Sequence, residues 1–137
     1  MALRAYLYIK GSTYSVLDLD YRLSQPIDQK GKPSGTTTGG QINFTVLANN
    51  DDTAEHFFQE WVISIAEVKS GYFELPITNG TKHRNTYIDF IEAYCTDLSV
   101  YYSSTNEKQL YMKISISATK IDFRKGVVFV NKNLERS

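Results

Sequence analysis

Period-two alternation of apolar and polar side chains dominates this chain, and few folds accommodate it. In "SVLDLDYRLS" Leu17, Leu19, Tyr21 and Leu23 share one face, while Asp18, Asp20, Arg22 and Ser24 share the other. "ALRAYLYIK" sets Leu3, Ala5, Leu7 and Ile9 against Arg4, Tyr6, Tyr8 and Lys10. The pattern returns with Ile42, Phe44 and Val46 against Gln41, Asn43 and Thr45, and with Phe73, Leu75 and Ile77 against Tyr72 and Glu74. Successive side chains of a strand point to opposite faces, so these segments are strands with one buried and one wet face. Pro76 interrupts the fourth of them and predicts a sheet edge or a bulge, because proline cannot donate to a ladder.

Two longer strand-like segments close the chain, "TYIDFIEAYCTDLSVYY" and "QLYMKISISATKIDF", joined by the polar turn "SSTNEK". Fully extended, residues 86 to 102 would span about 55 Å. A compact domain of this length is only about 37 Å across. The strand must therefore bend, bulge or reach beyond its own domain. A last apolar run at 127 to 130 predicts a terminal strand, followed by a polar tail.

One segment switches period. From about 52 to 68 the apolar residues Ala54, Phe57, Phe58, Trp61, Val62, Ile65 and Val68 recur every three or four positions, the spacing of an amphipathic helix. Phe57, Phe58, Trp61, Val62 and Ile65 form its expected core face. Asp52 followed by Glu55 has the spacing of a capping box. The fold class that follows is mainly β: a split barrel or sandwich of antiparallel strands with one helix.

Between the second and third strands lies "SQPIDQKGKPSGTTTGG", a polar stretch that buries almost nothing by itself. Its glycines, prolines and charges predict an extended loop over about 25–38 with no independent structure.

The residues offer little chemistry. His56 and His83 are the sole histidines, and neither has a partner at ligand spacing. Asp18 and Asp20 share a strand face and could form an acid–base pair, but a hydrated face beside Arg22 accounts for them. The glycine-rich "SGTTTGG" lacks the Gly-Lys-Ser/Thr ending of a phosphate loop. Cys95 is the single cysteine, which excludes an intrachain disulfide, and its strand context predicts a buried thiol. The expectation is a non-enzyme without cofactor or metal. With 15 basic and 15 acidic residues, no net field draws the chain to nucleic acid or anionic lipid. Its start lacks the marks of a secretory signal, and no apolar run reaches membrane-spanning length, so cytoplasmic synthesis without membrane insertion is expected. The length, 137 residues, suits a single domain spanning 1–137. Ten tyrosines, several opposite the aliphatic positions, suit half-wet contact surfaces.

The ordered features are a first strand ending in Gly-Ser, "VLDLDYRLSQPID", a long polar loop, "GGQINFTVL", one amphipathic helix, and "GYFELPI" and "FIEAYCTDLSVYY" ahead of the close. That order resembles a divergent branch of the haemolysin-coregulated protein family (Hcp, TssD), the tube component of type VI secretion systems, related to phage tail tube proteins. The resemblance covers residues 3 to 124, with 125–137 as terminal strand and tail. It implies hexameric rings stacked into a hollow tube, which a contractile sheath propels and which can carry effectors in its lumen. It implies sheath, spike and baseplate proteins as partners, and release to the outside or into a target cell. The long loop then makes contacts between subunits, with Pro26, Ile27, Asp28, Lys30, Lys32 and Pro33 as its interface residues. The alternative is a small monomeric β-barrel that binds a ligand in its interior.

Overall fold

The computed structural model describes residues 4–35, 37–48, 52–104, 109–131 and 134. Leu3, the Asp52 side chain of the expected capping box, the turn residues 105–108 and most of the tail lie outside them. The elements are β1 (Ala5–Ile9), β2 (Ser12–Tyr21), β3 (Gln41–Leu47), α1 (Asp52–Ile63), β4 (Lys69–Asn79), β5 (Lys82–Ser103), β6 (Gln109–Asp122) and β7 (Val128–Val130). The strands lie in the order β3-β2-β1-β4-β5-β6-β7, and a further β3–β6 pairing closes the sheet into a barrel. Every pairing is antiparallel. Beyond the point where β3 leaves β6, β7 takes its place along the same edge, pairing Phe129 with Ile121.

Alternation fills the barrel as the sequence predicts. Leu7, Ile42, Val46, Phe73, Met112 and Ile116 point inward and are fully buried. The ligand-binding alternative requires a hollow in this interior, and side chains occupy it.

Bulges supply the corrections. Val16 pairs with Val46 but Asp18 with Thr45, so Leu17 is an extra residue. It is turned out to 51% exposure, not inward as alternation alone predicts, while Leu19 packs on the core. In β5, 22 residues long, the same device acts twice. Ile91 and Glu92 oppose the single Ser70 of β4, and Thr96 is an extra residue against β6. The inward series therefore runs Ile88, Phe90, then Ala93, Cys95, then Leu98. Glu92 adopts φ +50°, with its N–H donating to Ser70 Oγ at 3.0 Å and its carbonyl accepting from Thr119 Oγ1 at 2.9 Å. Side chains thus satisfy the backbone groups the bulge frees, and the overlong strand curves round the barrel.

The helix packs against β5. Phe58 and Trp61 are fully buried, and Phe57 and Val62 are partly buried against the core. Phe58 meets Tyr14 at 5.3 Å and Phe44 at 6.2 Å between ring centroids. A fully buried phenylalanine such as Phe58 contributes about 1.5–3 kcal/mol. The expectation for Ile65 is overturned: the helix stops at Ile63, short of residue 68, and Ile65 is 96% exposed. Ser64 N–H still bonds Glu60, but Ser64 Oγ then accepts from Glu67 N–H at 3.1 Å. The chain turns back there, and Trp61 Nε1 donates to the Glu67 carbonyl at 3.3 Å.

Pro76 sits where the sequence placed it. It pairs with Asn85 of β5, whereas β1 pairs with β4 only from Gly71 to Glu74, so the imide nitrogen meets no neighbouring strand.

Candidate functional site

The residues between β2 and β3 are not structureless. They form a narrow ribbon, here called the arm, whose two legs bond each other. Ser24 and Thr38 exchange backbone hydrogen bonds of 2.9 and 2.6 Å, and Ile27 bridges to Pro33. Gln25 Nε2 donates to Thr37 Oγ1 at 3.0 Å, and Ser34 N–H to the Pro26 carbonyl at 2.8 Å. At the tip the Asp28 carboxylate accepts from the N–H groups of Lys30 and Lys32, at 2.8 and 2.9 Å. One side chain thereby nucleates a tight turn, with Gly31 in the left-handed region at φ +83°. Composition predicted no independent structure, and the correction is local: an Asx turn and cross-leg bonds substitute for a core. Pro26, Ile27, Asp28, Lys30, Lys32 and Pro33 all fall in this arm and all are exposed, Ile27 to 67%.

Two faces of the barrel differ in chemistry. Outside β1, β4 and the first half of β5, tyrosines gather round one carboxylate. Glu74 accepts from Tyr8 OH at 3.1 Å, Tyr87 OH at 3.0 Å and Asn85 at 3.2 Å. Tyr8 stacks on Tyr72 at 4.7 Å. Arg124 lies over Tyr87 at 4.0 Å and binds both oxygens of Asp89, at 3.0 and 2.9 Å. Burial, then the hydrogen bond and charge of Glu74, raise the Tyr8 phenol above its ordinary pKa. The Asp89 hydrogen bonds raise that of the Arg124 guanidinium, against the opposing effect of burial. Alternation placed these tyrosines outward, but their convergence on Glu74 depends on cross-strand register, which no local pattern carries.

The face of β2, β3 and β6 carries small polar groups. Asp18 accepts from Thr45 and Asp20 from Asn43, both at 2.8 Å. Asn43 accepts in turn from Ser115 at 2.6 Å and from Gln41 at 3.2 Å. The two aspartates are thus separate acceptors on a strand face, each engaged with its own β3 neighbour. His56 is exposed on the helix, and exposed His83 contacts Thr78 at 3.3 Å. Cys95 is buried, and burial pushes its thiol up to about 11. Among the described residues no group of three His, Cys, Asp or Glu side chains could hold a metal ion.

The closed barrel with one packed helix places the chain among Hcp-like folds. A sequence profile of the Hemolysin coregulated protein Hcp (TssD) family matches residues 1–132, and the chain belongs to that family. Its fold is similar to that of Hcp1 from Flavobacterium johnsoniae, with 29% identity, a TM-score of 0.77, and coverage of 94% of this chain and 100% of that one. Hcp1 from Salmonella typhimurium shares the fold at 12% identity and a TM-score of 0.64, over 94% of this chain and 92% of that one. The secreted protein Hcp3 from Pseudomonas aeruginosa does so at 12% and 0.61, over 93% and 96%. No curated protein matches the chain by sequence. The family is a structural one, secreted by the type VI system. Among the described residues no helix is long and apolar enough to cross a membrane.

Proposed function

We propose that the chain acts as one tube-protein domain of a type VI secretion system. It closes into hexameric rings, the rings stack into a hollow tube, and a contractile sheath expels that tube with effectors in its lumen. Sheath, spike and baseplate proteins are its further partners. It is assembled in the cytoplasm and leaves the cell through that apparatus.

Two open strand edges carry this reading. Among the described residues, β2 beyond Val16 pairs only with β3, and β5 beyond Ala93 pairs only with β6. The face β2-β3-β6-β5 therefore ends in unpaired backbone on both sides. Unpaired edges invite strand addition. Both are flanked by exposed apolar side chains, Leu17, Tyr21 and Leu23 at one and Val100, Tyr101 and Tyr102 at the other. Joining one edge to the different edge of the next copy is a heterologous contact, which repeats until the rotation closes a ring. β1, β4 and the helix fit only on the longer, outer perimeter of such a ring. The hydrogen-bonded small-polar face then lines the lumen, and the tyrosine face lies outside.

The arm supplies stacking between rings. Replacing residues 27–37 by a short Gly-Ser link tests this, because loop-closure cost changes slowly with length and the fold survives. The expected variant melts like the parent and forms rings, but neither stacks nor is secreted. A folded variant that builds tubes and is secreted normally overturns the arm's role.

A further inference from the structure

The arm leaves the barrel at two points, and the same C-terminal hairpin holds both. On the outgoing leg, Tyr21 at the end of β2 packs on Phe123, with ring centroids 5.3 Å apart. On the returning leg, the Asn131 side chain donates from Nδ2 to the carbonyls of Gly39, at 3.3 Å, and Ala118, at 3.4 Å. Asn131 is buried, 8% exposed, and its backbone N–H is fixed to Thr119 at 2.8 Å. Gly40 completes the joint, its carbonyl accepting from Ala118 N–H at 2.7 Å. At φ +91°, a Cβ on Gly40 would stand 2.8 Å from both the Ala118 carbonyl and Asn131 Nδ2, so only glycine lets the leg pass this close.

The hairpin is itself anchored. Its turn runs through three successive left-handed residues, Arg124, Lys125 and Gly126. Arg124 N–H donates to Asp122 at 2.7 Å, while the Arg124 guanidinium grips Asp89 and lies over Tyr87. A continuous path of contacts therefore runs from the β5 wall through the β6–β7 turn to the root of the arm.

We infer that the β6–β7 hairpin is a two-point clamp that sets the direction of the arm, with Asn131 as its positioning residue. A β-ribbon fourteen or so residues long amplifies a small rotation at its root into a displacement of several ångströms at its tip. A buried amide sharing its donors between arm and barrel removes that freedom, since a lost partner there leaves carbonyls unsatisfied. The link to ring stacking rests on the function proposed above; the clamp itself does not.

The test uses Asn131→Asp and Asn131→Leu in the full chain, beside Ile88→Val as a core variant that lowers stability away from the arm. Limited trypsin digestion at the Lys30–Gly31 bond reads arm mobility directly, and electron microscopy reads tubes. Both Asn131 variants are expected to stay folded by circular dichroism, to be cut about tenfold faster at Lys30, and to form rings that stack poorly. Cutting at the parental rate, or equal acceleration by Ile88→Val, overturns the clamp. Faster cutting with undiminished tubes upholds the clamp and overturns the stacking role of the arm.

Discussion

Removing the Trp61 side chain isolates the contribution of the helix to the fold. Trp61 is fully buried, with the Phe57 and Phe58 rings 6.1 and 6.3 Å away and the Lys69 ammonium 6.0 Å from its own ring. A buried aromatic of this size removes about 150–250 Å² from water. At about 25 cal/mol per Å² that is about 4–6 kcal/mol. Alanine keeps part of this burial and leaves a cavity, so Trp61→Ala is expected to cost about 3–5 kcal/mol. The Glu67 carbonyl that loses the indole donor belongs to an exposed residue and returns to water, adding little. With a urea dependence of about 2 kcal/mol per molar, the midpoint falls by about 1.5–2.5 M. Far-UV circular dichroism is the appropriate probe, because Trp61 is the sole tryptophan. Protein concentration is held fixed, since subunit association adds to apparent stability. Glu60→Ala, exposed on the same helix, is expected to cost less than about 0.5 kcal/mol. Equal midpoint shifts for the two variants would refute the assignment of the buried face.

Cys95 is expected to resist alkylation in the folded protein. Its thiol is pushed from 9.0 to about 11, so near pH 8 its thiolate is about a hundredfold scarcer than that of an unperturbed thiol. The sign follows from a neutral form favoured by folding: stability is unaffected below the unfolded pKa and declines as pH rises through it. Iodoacetamide labelling followed by mass spectrometry, with and without urea, checks this, and rapid native labelling near pH 8 contradicts it. Reversing charge at Lys30 and Lys32 leaves folding untouched and weakens tube formation mildly, with a defect that changes with salt, since exposed pairs contribute little singly. Sedimentation of tubes across a salt series reads it, and a salt-independent loss contradicts the electrostatic origin.

Much of the fold was legible because it depends on local period. Leu7 and Ile9 against Tyr6 and Tyr8, or Phe58 and Trp61 at helical spacing, declare their elements without reference to distant chain. The illegible parts arise where the period is broken on purpose. Leu17, Glu92 and Thr96 are bulge residues that shift every following side chain by one face, and their position follows from pairing with β3, β4 and β6. Ile65 continues the helical spacing beyond a stop that Ser64 and Glu67 impose through their own hydrogen bonds. A polar loop over 25–38 could be read from composition, yet its ordering could not. It depends on Asp28 bonding two backbone groups ahead and on Asn131, far along the chain, reaching Gly39.

Ring formation is the central claim, and its most direct measurement is the mass of the purified chain in solution. Multi-angle light scattering across a dilution series, with negative-stain microscopy of the same samples, is expected to give about six subunits of 15.6 kDa and annular particles with an open centre. A monomer of 15.6 kDa that persists at micromolar concentration would contradict the account.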